Sequence, residues 1–321
     1  MSTTNTAIDT LSALMNNIGI NMEGGNTNTI TNSNVVGTSQ SDYGIRLKGT
    51  QGNTLLGNTV QTAKLAGILV ESANNNDLVN TSVANVPQGN AISIRFSNGN
   101  DMIGNTLQTS SNGNGLRLEY SSQTKIQGNT LQNLARGILI LSGSTANQVY
   151  QNNFINNPIQ AQDFGSSNVW DINNEGNYWS DYQNQNQGCL DNNFNGICDA
   201  PKTFYFNQDN FPFTDQYGWI NKWPIFTSTP VINATNGQLY TYDADAVDPD
   251  NDPVTYTLVQ SPVNMTIDTS TGIIMWLAKY TTSYGPFTLR KPLVPSKISV
   301  TAKAADSHGA FRTQSWVITV Q

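Results

Sequence analysis

Gly44-Ile-Arg-Leu-Lys48, Gly67-Ile-Leu-Val-Glu71, Ala91-Ile-Ser-Ile-Arg95 and Gly115-Leu-Arg-Leu-Glu119 are copies of one short pattern. It recurs at Gly19-Ile-Asn-Met-Glu23 and Gly137-Ile-Leu-Ile-Leu141, about once every 23 to 24 residues. In each copy the second and fourth residues are large and apolar while the third and fifth face the other way, the period of a strand with one buried face. A second column keeps the same phase. Val35, Val60, Val83, Leu107, Leu131 and Phe154 recur at intervals of 25, 23, 24, 24 and 23, each two places after a Ser, Asn or Thr. Each repeat thus holds at least two short strands between Gly, Asn and Ser turns, too short for a strand-helix-strand unit. One such rung cannot bury its own apolar face, whereas stacked rungs share one. The chain is expected to be all-β, with a parallel β-helix of about 6 to 7 coils over residues 19–165.

The fifth position of the pattern reads Glu23, Lys48, Glu71, Arg95, Glu119, Leu141. Stacked about 4.8 Å apart, these charges alternate in sign, so each is expected to meet its opposite on a neighbouring rung. Asn in the turns tolerates the left-handed corner conformation, and its amide can both donate to and accept from adjacent coils.

Only 12% of the 321 residues are charged, and the net charge is −7. Nucleic-acid binding is disfavoured, since it requires clustered Lys and Arg. No stretch of about 18 apolar residues is present to span a membrane. Ala7, Ile8, Leu11, Leu14, Met15 and Ile18 share one helical face, so residues 1–18 are expected to form a capping helix over the first coil. No secretory leader is visible, yet Cys189 and Cys198, the only cysteines, enclose eight residues and are expected to form a disulfide. That pairing points to an extracellular or cell-surface location.

After residue 165 the repeats fade into an aromatic segment, residues 166–227, expected to plug the last coil or to offer rings for sugar stacking. Alternating runs such as Gln238-Leu-Tyr-Thr-Tyr242 and Gly272-Ile-Ile-Met-Trp276 then mark residues 228–321 as a second, all-β domain at β-sandwich spacing.

Two stretches suit a hard cation. Asp191, Asn193, Asn195, the carbonyl of Ile197 and Asp199 have the alternate spacing of an oxygen-ligand loop, with Gly196 permitting the sharp turn, and resemble the first nine positions of an EF-hand-like calcium loop. Lys202 stands at the twelfth place instead of Glu. Asp243, Asp245, Asp248, Asp250 and Asp252, with Asp306, form a possible second calcium site, because five carboxylates within ten residues repel unless solvated or bridged.

Catalysis is poorly provided for. Glycosidases need paired carboxylates, and the candidates on the helix are Asp42, Glu71, Asp77, Asp101, Glu119 and Asp163, of which Glu71 and Glu119 have expected partners in Lys48 and Arg95. Arg46 and Arg117 occupy the other outward column and are the candidate glycan contacts of a lyase-like protein. The single histidine, His308, lies in the second domain.

The repeats, followed by Gly176-Asn-Tyr-Trp-Ser-Asp-Tyr182 and a loop ending Asp199-Ala-Pro201, resemble the NosD-like right-handed β-helix proteins over residues 19 to 226. That resemblance implies three strands per coil. Its association with copper is not carried over, since His and Met clusters are missing. Asp248-Pro-Asp-Asn-Asp-Pro-Val-Thr-Tyr-Thr-Leu258 and Met265-Thr-Ile-Asp-Thr-Ser-Thr-Gly-Ile-Ile-Met-Trp276 resemble Ig-like or cadherin-like modules, apart from a longer loop between Lys279 and Pro295. The expected function is a calcium-stabilised structural or adhesive surface protein that assembles with copies of itself in a surface layer or filament. The alternatives are a polysaccharide-binding or polysaccharide-cleaving protein, a lyase or glycoside hydrolase, and a viral tail spike.

Overall fold

The computed structural model describes residues 7–14, 17–108, 113–193, 195–279, 296–307 and 309–321. The chain divides into two compact units, one of Met1–Asn192 with Gly196–Trp219, the other of Asn193–Asn195 with Ile220–Gln321.

The first unit is a parallel β-solenoid of seven rungs, each contributing one strand to each of three sheets. The long-strand sheet stacks Ile18–Glu23, Tyr43–Lys48, Ala66–Glu71, Asn90–Arg95, Asn114–Glu119, Arg136–Ile140 and Ile159–Asp163 in register. Ile45, Ile68, Ile92, Leu116 and Ile138 therefore lie one above another. The first short-strand sheet carries Ile30, Leu55, Leu78, Met102, Ile126 and Val149 inward, and the second carries Val35, Val60, Val83, Leu107, Leu131 and Phe154. All are at most 1% exposed, so each Val, Leu or Ile contributes about 1.5 to 3 kcal/mol of burial.

Two corners of each rung are stitched by buried amide ladders, one where the long strand turns into the first short strand and one between the two short strands. One runs through Asn28, Asn53, Asn76 and Asn100, with the Oδ1 of Asn53, Asn76 and Asn100 each accepting from the main-chain N–H of the Asn one rung before. The other runs through Asn58, Thr81, Asn105, Asn129, Asn152 and Asn177. Both satisfy main-chain groups that a dry corner would otherwise leave unpaired.

The N-terminal capping helix is corrected. Ala7–Asp9 and Ser12–Leu14 are strands of the first rung, paired with Thr29–Thr31 and Asn34–Val36. Ile8 and Ala13 are separated by the same five-residue step as Ile30 and Val35, and Thr10 turns the corner at φ 57°. Main-chain groups there bond to the neighbouring rung, Thr10 N–H to Thr31 O and Asn34 N–H to Leu11 O. Rung pairing outcompetes a short isolated helix, whose nucleation is costly.

At the other end Trp179 continues the second short-strand column, pairing beside Phe154 with rings 4.3 Å apart, and Trp170 packs 6.0 Å from it. Both indoles are at most 1% exposed, so these rings plug the final rung.

The second unit contains a four-stranded sheet, in which Ser296–Ala305 pairs with Phe311–Val320 and Thr255–Gln260, and a three-stranded sheet centred on Ile273–Leu277. Tyr240, Tyr242, Ile274 and Trp276 from one sheet and Val300, Ala302, Trp316 and Ile318 from the other share one core, an arrangement that fits a sandwich. Residues 280–295, most of the expected long loop, and His308 lie outside the described residues. No described helix is long and apolar enough to cross a membrane.

Candidate functional site

The outward face of the long-strand sheet carries most of the solenoid's charge, and its register sets which groups meet. Lys48 Nζ lies 3.5 Å from Glu23 Oε1, and Arg95 Nη2 lies 2.8 Å from Glu71 Oε1, as the alternating column predicts. The second bond to Glu71 comes from Arg46, at 3.3 Å, reaching diagonally from the adjacent outward column rather than from Lys48. Arg117 pairs within its own strand with Glu119, at 3.0 Å. Arg46 and Arg117, the candidate glycan contacts, thus both hold carboxylates of the sheet. The Nε atoms of Arg46 and Arg95 are buried without a hydrogen-bond partner, so each guanidinium meets Glu71 through its Nη edge. A shallow groove of ≈ 380 Å³ crosses this face between Lys64, Asn90, Arg95 and Arg117.

Glu71 is expected to be worth little to stability. Its side chain is 19% exposed, so Glu71→Gln should cost about 1 kcal/mol, a fall in Tm of roughly 2 to 4 °C. Calorimetry at low and high salt checks this, because screening should shrink the difference.

The remaining carboxylates have separate fates. Asp163 replaces the inward apolar residue of the last long strand; its Oδ1 accepts from Gly165 N–H and Asn168 Nδ2, and its Oδ2 from Trp170 Nε1, so it serves the cap. Asp77 and Asp101 are register partners on adjacent rungs, a like-charge pair that their spacing of 24 residues encodes. Burial, and then the charge of Asp101, hold the Asp77 carboxyl above its ordinary value. Asp101 in turn faces Lys125 on the next rung.

Cys189 and Cys198 are joined, as their spacing predicts. Within the loop they close, Asp191 Oδ2 accepts from Gly196 N–H at 3.0 Å, and Asp199 Oδ2 accepts from Asn192 N–H and Nδ2 at 2.8 and 2.7 Å. Gly196 takes φ 79°, where a side chain would strain the turn. Asn193 Oδ1 accepts from Asn195 N–H, Ile197 bridges to Phe213, and Phe194 lies outside the described residues. Asp191, Ile197 and Asp199 belong to the first unit, Asn193 and Asn195 to the second. Among the described residues no three His, Cys, Asp or Glu side chains are grouped as a metal would need.

In the second unit Asp248 is 7% exposed; its Oδ1 accepts from Asp250 and Asp252 N–H, and its Oδ2 is buried with no hydrogen-bond partner. Asp250 meets Lys222, and Asp306 accepts from Asn221 Nδ2 and Ala310 N–H. Asp243 and Asp245 lie at the end of and just after the strand Leu239–Asp243.

Asp209 was not singled out by the sequence. It is 0% exposed; its Oδ2 accepts from Asn177 N–H, Asn177 Nδ2 and Trp179 Nε1, 30 residues or more away, and its Oδ1 from the nearby Phe211 N–H. It thereby ties the last amide of the second ladder to the indole that plugs the core. Gly176 is glycine because a Cβ there would lie 1.8 Å from Asp209 Oδ1. Burial pushes the Asp209 carboxyl up to about 7, against the downward pull of Trp179, Asn177 and Phe211.

The family described as periplasmic copper-binding protein, NosD, matches residues 2–184. No curated protein matches the chain. Among solved structures, tailspike protein 2 of the Escherichia coli O157:H7 bacteriophage CAB120 is 12% identical over 98% of this chain and 43% of that one, with a TM-score of 0.40. The periplasmic alginate epimerase AlgG is 15% identical over 51% of this chain and 43% of its own, with a TM-score of 0.28. The tailspike protein gp49 from Pseudomonas phage LKA1 is 12% identical over 98% and 62%, with a TM-score of 0.27. This chain therefore spans less than two thirds of each of them.

Copper favours His, Cys and Met donors. Residues 2–184 contain no His and no Cys, and of their three Met, at 15, 22 and 102, Met102 is buried in the solenoid core. This donor set does not fit a copper site. In sequence match and in its seven-rung solenoid, and without the copper donors, the chain belongs to the NosD family.

Proposed function

We propose that this protein is a non-enzymatic scaffold outside the cytoplasm, a structural and adhesive subunit of a cell surface that assembles with copies of itself and is braced by calcium. The observation that carries the reading is the double clamp on Glu71 by Arg46 and Arg95, with Glu119 held by Arg117. Acid, base and nucleophile roles need a carboxylate free to move a proton or attack, and on this face Glu71 and Glu119 are held in ion pairs. The disulfide supports an oxidising location. Two sheets over one core support reading the second unit as an Ig-like or cadherin-like adhesion module. Phe96 and Tyr120, stacked 5.4 Å apart and more than half exposed on the solenoid, give a neighbouring copy apolar surface to bury.

The orphaned Asp248 Oδ2 supports a cation in the acidic turn of the second unit, since a buried carboxylate oxygen without a donor is costly unless a positive charge meets it. The clamped Asp191 and Asp199 support another in the disulfide loop. Millimolar calcium is expected to raise Tm by roughly 3 °C or more over chelator, with the gain from the acidic turn lost in Asp248→Asn. Superimposable melting curves with calcium and with chelator would remove calcium from the reading. Incubation with uronate and neutral polysaccharides is expected to release no new ends. Cleavage that disappears in Arg117→Ala or Asp77→Asn would make the protein an enzyme instead.

A further inference from the structure

Lys202–Phe204 and Asn207–Asp209 form an antiparallel hairpin in which Phe204 pairs with Asn207, so its two-residue turn is Tyr205-Phe206. Turns of this length favour Gly, Asn or Asp, because they require φ above zero. Tyr205 adopts φ 49°, a costly backbone for a bulky residue. The rings that this strain supports cover little: Tyr205 is 57% and Phe206 88% exposed. Tyr205 is held edge-on by Phe164, at 5.3 Å, and lies 6.2 Å from Phe206, so the pair has a set posture. Strain that keeps two aromatic faces in water points to a ligand that uses them.

Beside the rings lies a cleft of ≈ 510 Å³, whose other wall is residues 168–171. Asp171 is oriented there: its Oδ2 accepts from Asn210 N–H and Nδ2 at 3.0 and 2.8 Å, while its Oδ1 has no hydrogen-bond partner among the described residues. The amides of Asn207 and Gln208 also line it, while that of Asn168 is committed to Asn147 and Asp163, and the lining includes one carboxylate and no Lys or Arg. Flat apolar faces beside planar amides and a carboxylate match a pyranose ring, which offers a C–H face and paired hydroxyls. The lone carboxylate and the chain's net charge of −7 disfavour an anionic sugar.

We propose that this cleft binds an uncharged polysaccharide, with a sugar face stacked on Tyr205 or Phe206 and hydroxyls donating to Asp171 and bonding to Asn207. This function is additional to the scaffold role and independent of self-assembly and calcium. It is tested by affinity electrophoresis of the full chain through gels containing dextran, mannan, a soluble cellulose derivative or, separately, polygalacturonate. At least one neutral polymer is expected to retard the wild type, and Phe206→Ala and Tyr205→Gly to weaken that retardation by about tenfold or more. Tyr205→Gly relieves the turn, so its melting temperature should be unchanged or higher, which separates lost binding from lost folding. Retardation by polygalacturonate alone, by none of the polymers, or equally in wild type and both variants would overturn the proposal.

Discussion

Asp209→Ala is expected to destabilise the solenoid unit by about 3 kcal/mol, a fall in Tm of roughly 6 to 12 °C. The substitution leaves three N–H donors, the main-chain groups of Asn177 and Phe211 and the Trp179 indole, without their acceptor in a site from which water is excluded, while Asn177 Nδ2 keeps Val149 O and Trp170 O. Each buried unsatisfied donor costs about 1 to 3 kcal/mol, partly offset by relief of the carboxylate's own desolvation. The pH dependence gives a sharper signature. The folded-state pKa, about 7, is raised above the ordinary 3.8, so the folded protein holds this proton more tightly than the unfolded chain. The resulting stabilisation is fully present below about pH 4, is lost as pH rises towards 7, and is constant above that, on the order of 4 kcal/mol in total. Denaturant melts from pH 4 to 8 should show this decline in the wild type and not in Asp209→Asn. Parallel profiles for the two proteins would mean that Asp209 is ionised throughout.

Asn129→Ala should be as damaging, about 3 to 5 kcal/mol. Its Oδ1 accepts from the main-chain N–H and side-chain amide of Asn105, and its Nδ2 donates to Met102 O, Gln127 O and Asn152 Oδ1, all at 0% exposure of the residue itself. No packing gain compensates, because alanine leaves polar atoms of two rungs facing a void. Asn129→Thr should recover part of the loss, since Thr81 holds the same column with its hydroxyl bonded to Val79 O. Gln108→Ala, at an exposed position, should change stability by less than about 0.5 kcal/mol. Equal effects at positions 108 and 129 would show that the ladder is not what holds the corners.

Much of this architecture could be read from residue spacing, because a solenoid writes its three-dimensional period into the chain. Val60, Val83 and Leu107 are 23 and 24 residues apart and lie directly above one another. In the first rung Ile8 and Leu11 also satisfy a helical period, and the five-residue step from Ile8 to Ala13 is what distinguishes strand from helix. The charge column was legible, but the diagonal bond from Arg46 to Glu71 was not, since long side chains reach beyond their own column. Asp209 carried no local signal, as the partners of its Oδ2, Asn177 and Trp179, lie 30 or more residues away. Composition could not separate the buried Trp170 and Trp179 from the exposed Tyr205 and Phe206; only the hairpin register reveals which rings face water. The two cation stretches were visible as patterns, and Asp248 Oδ2 adds an unpaired buried atom that no pattern shows.

Negative-stain electron microscopy of the purified chain, with calcium and with chelator, tests the central claim most directly. The expected result is ordered filaments or sheets with a regular repeat in calcium that shorten or disperse in chelator. Single dispersed particles in both conditions, at concentrations up to the solubility limit, would contradict a self-assembling, calcium-braced scaffold.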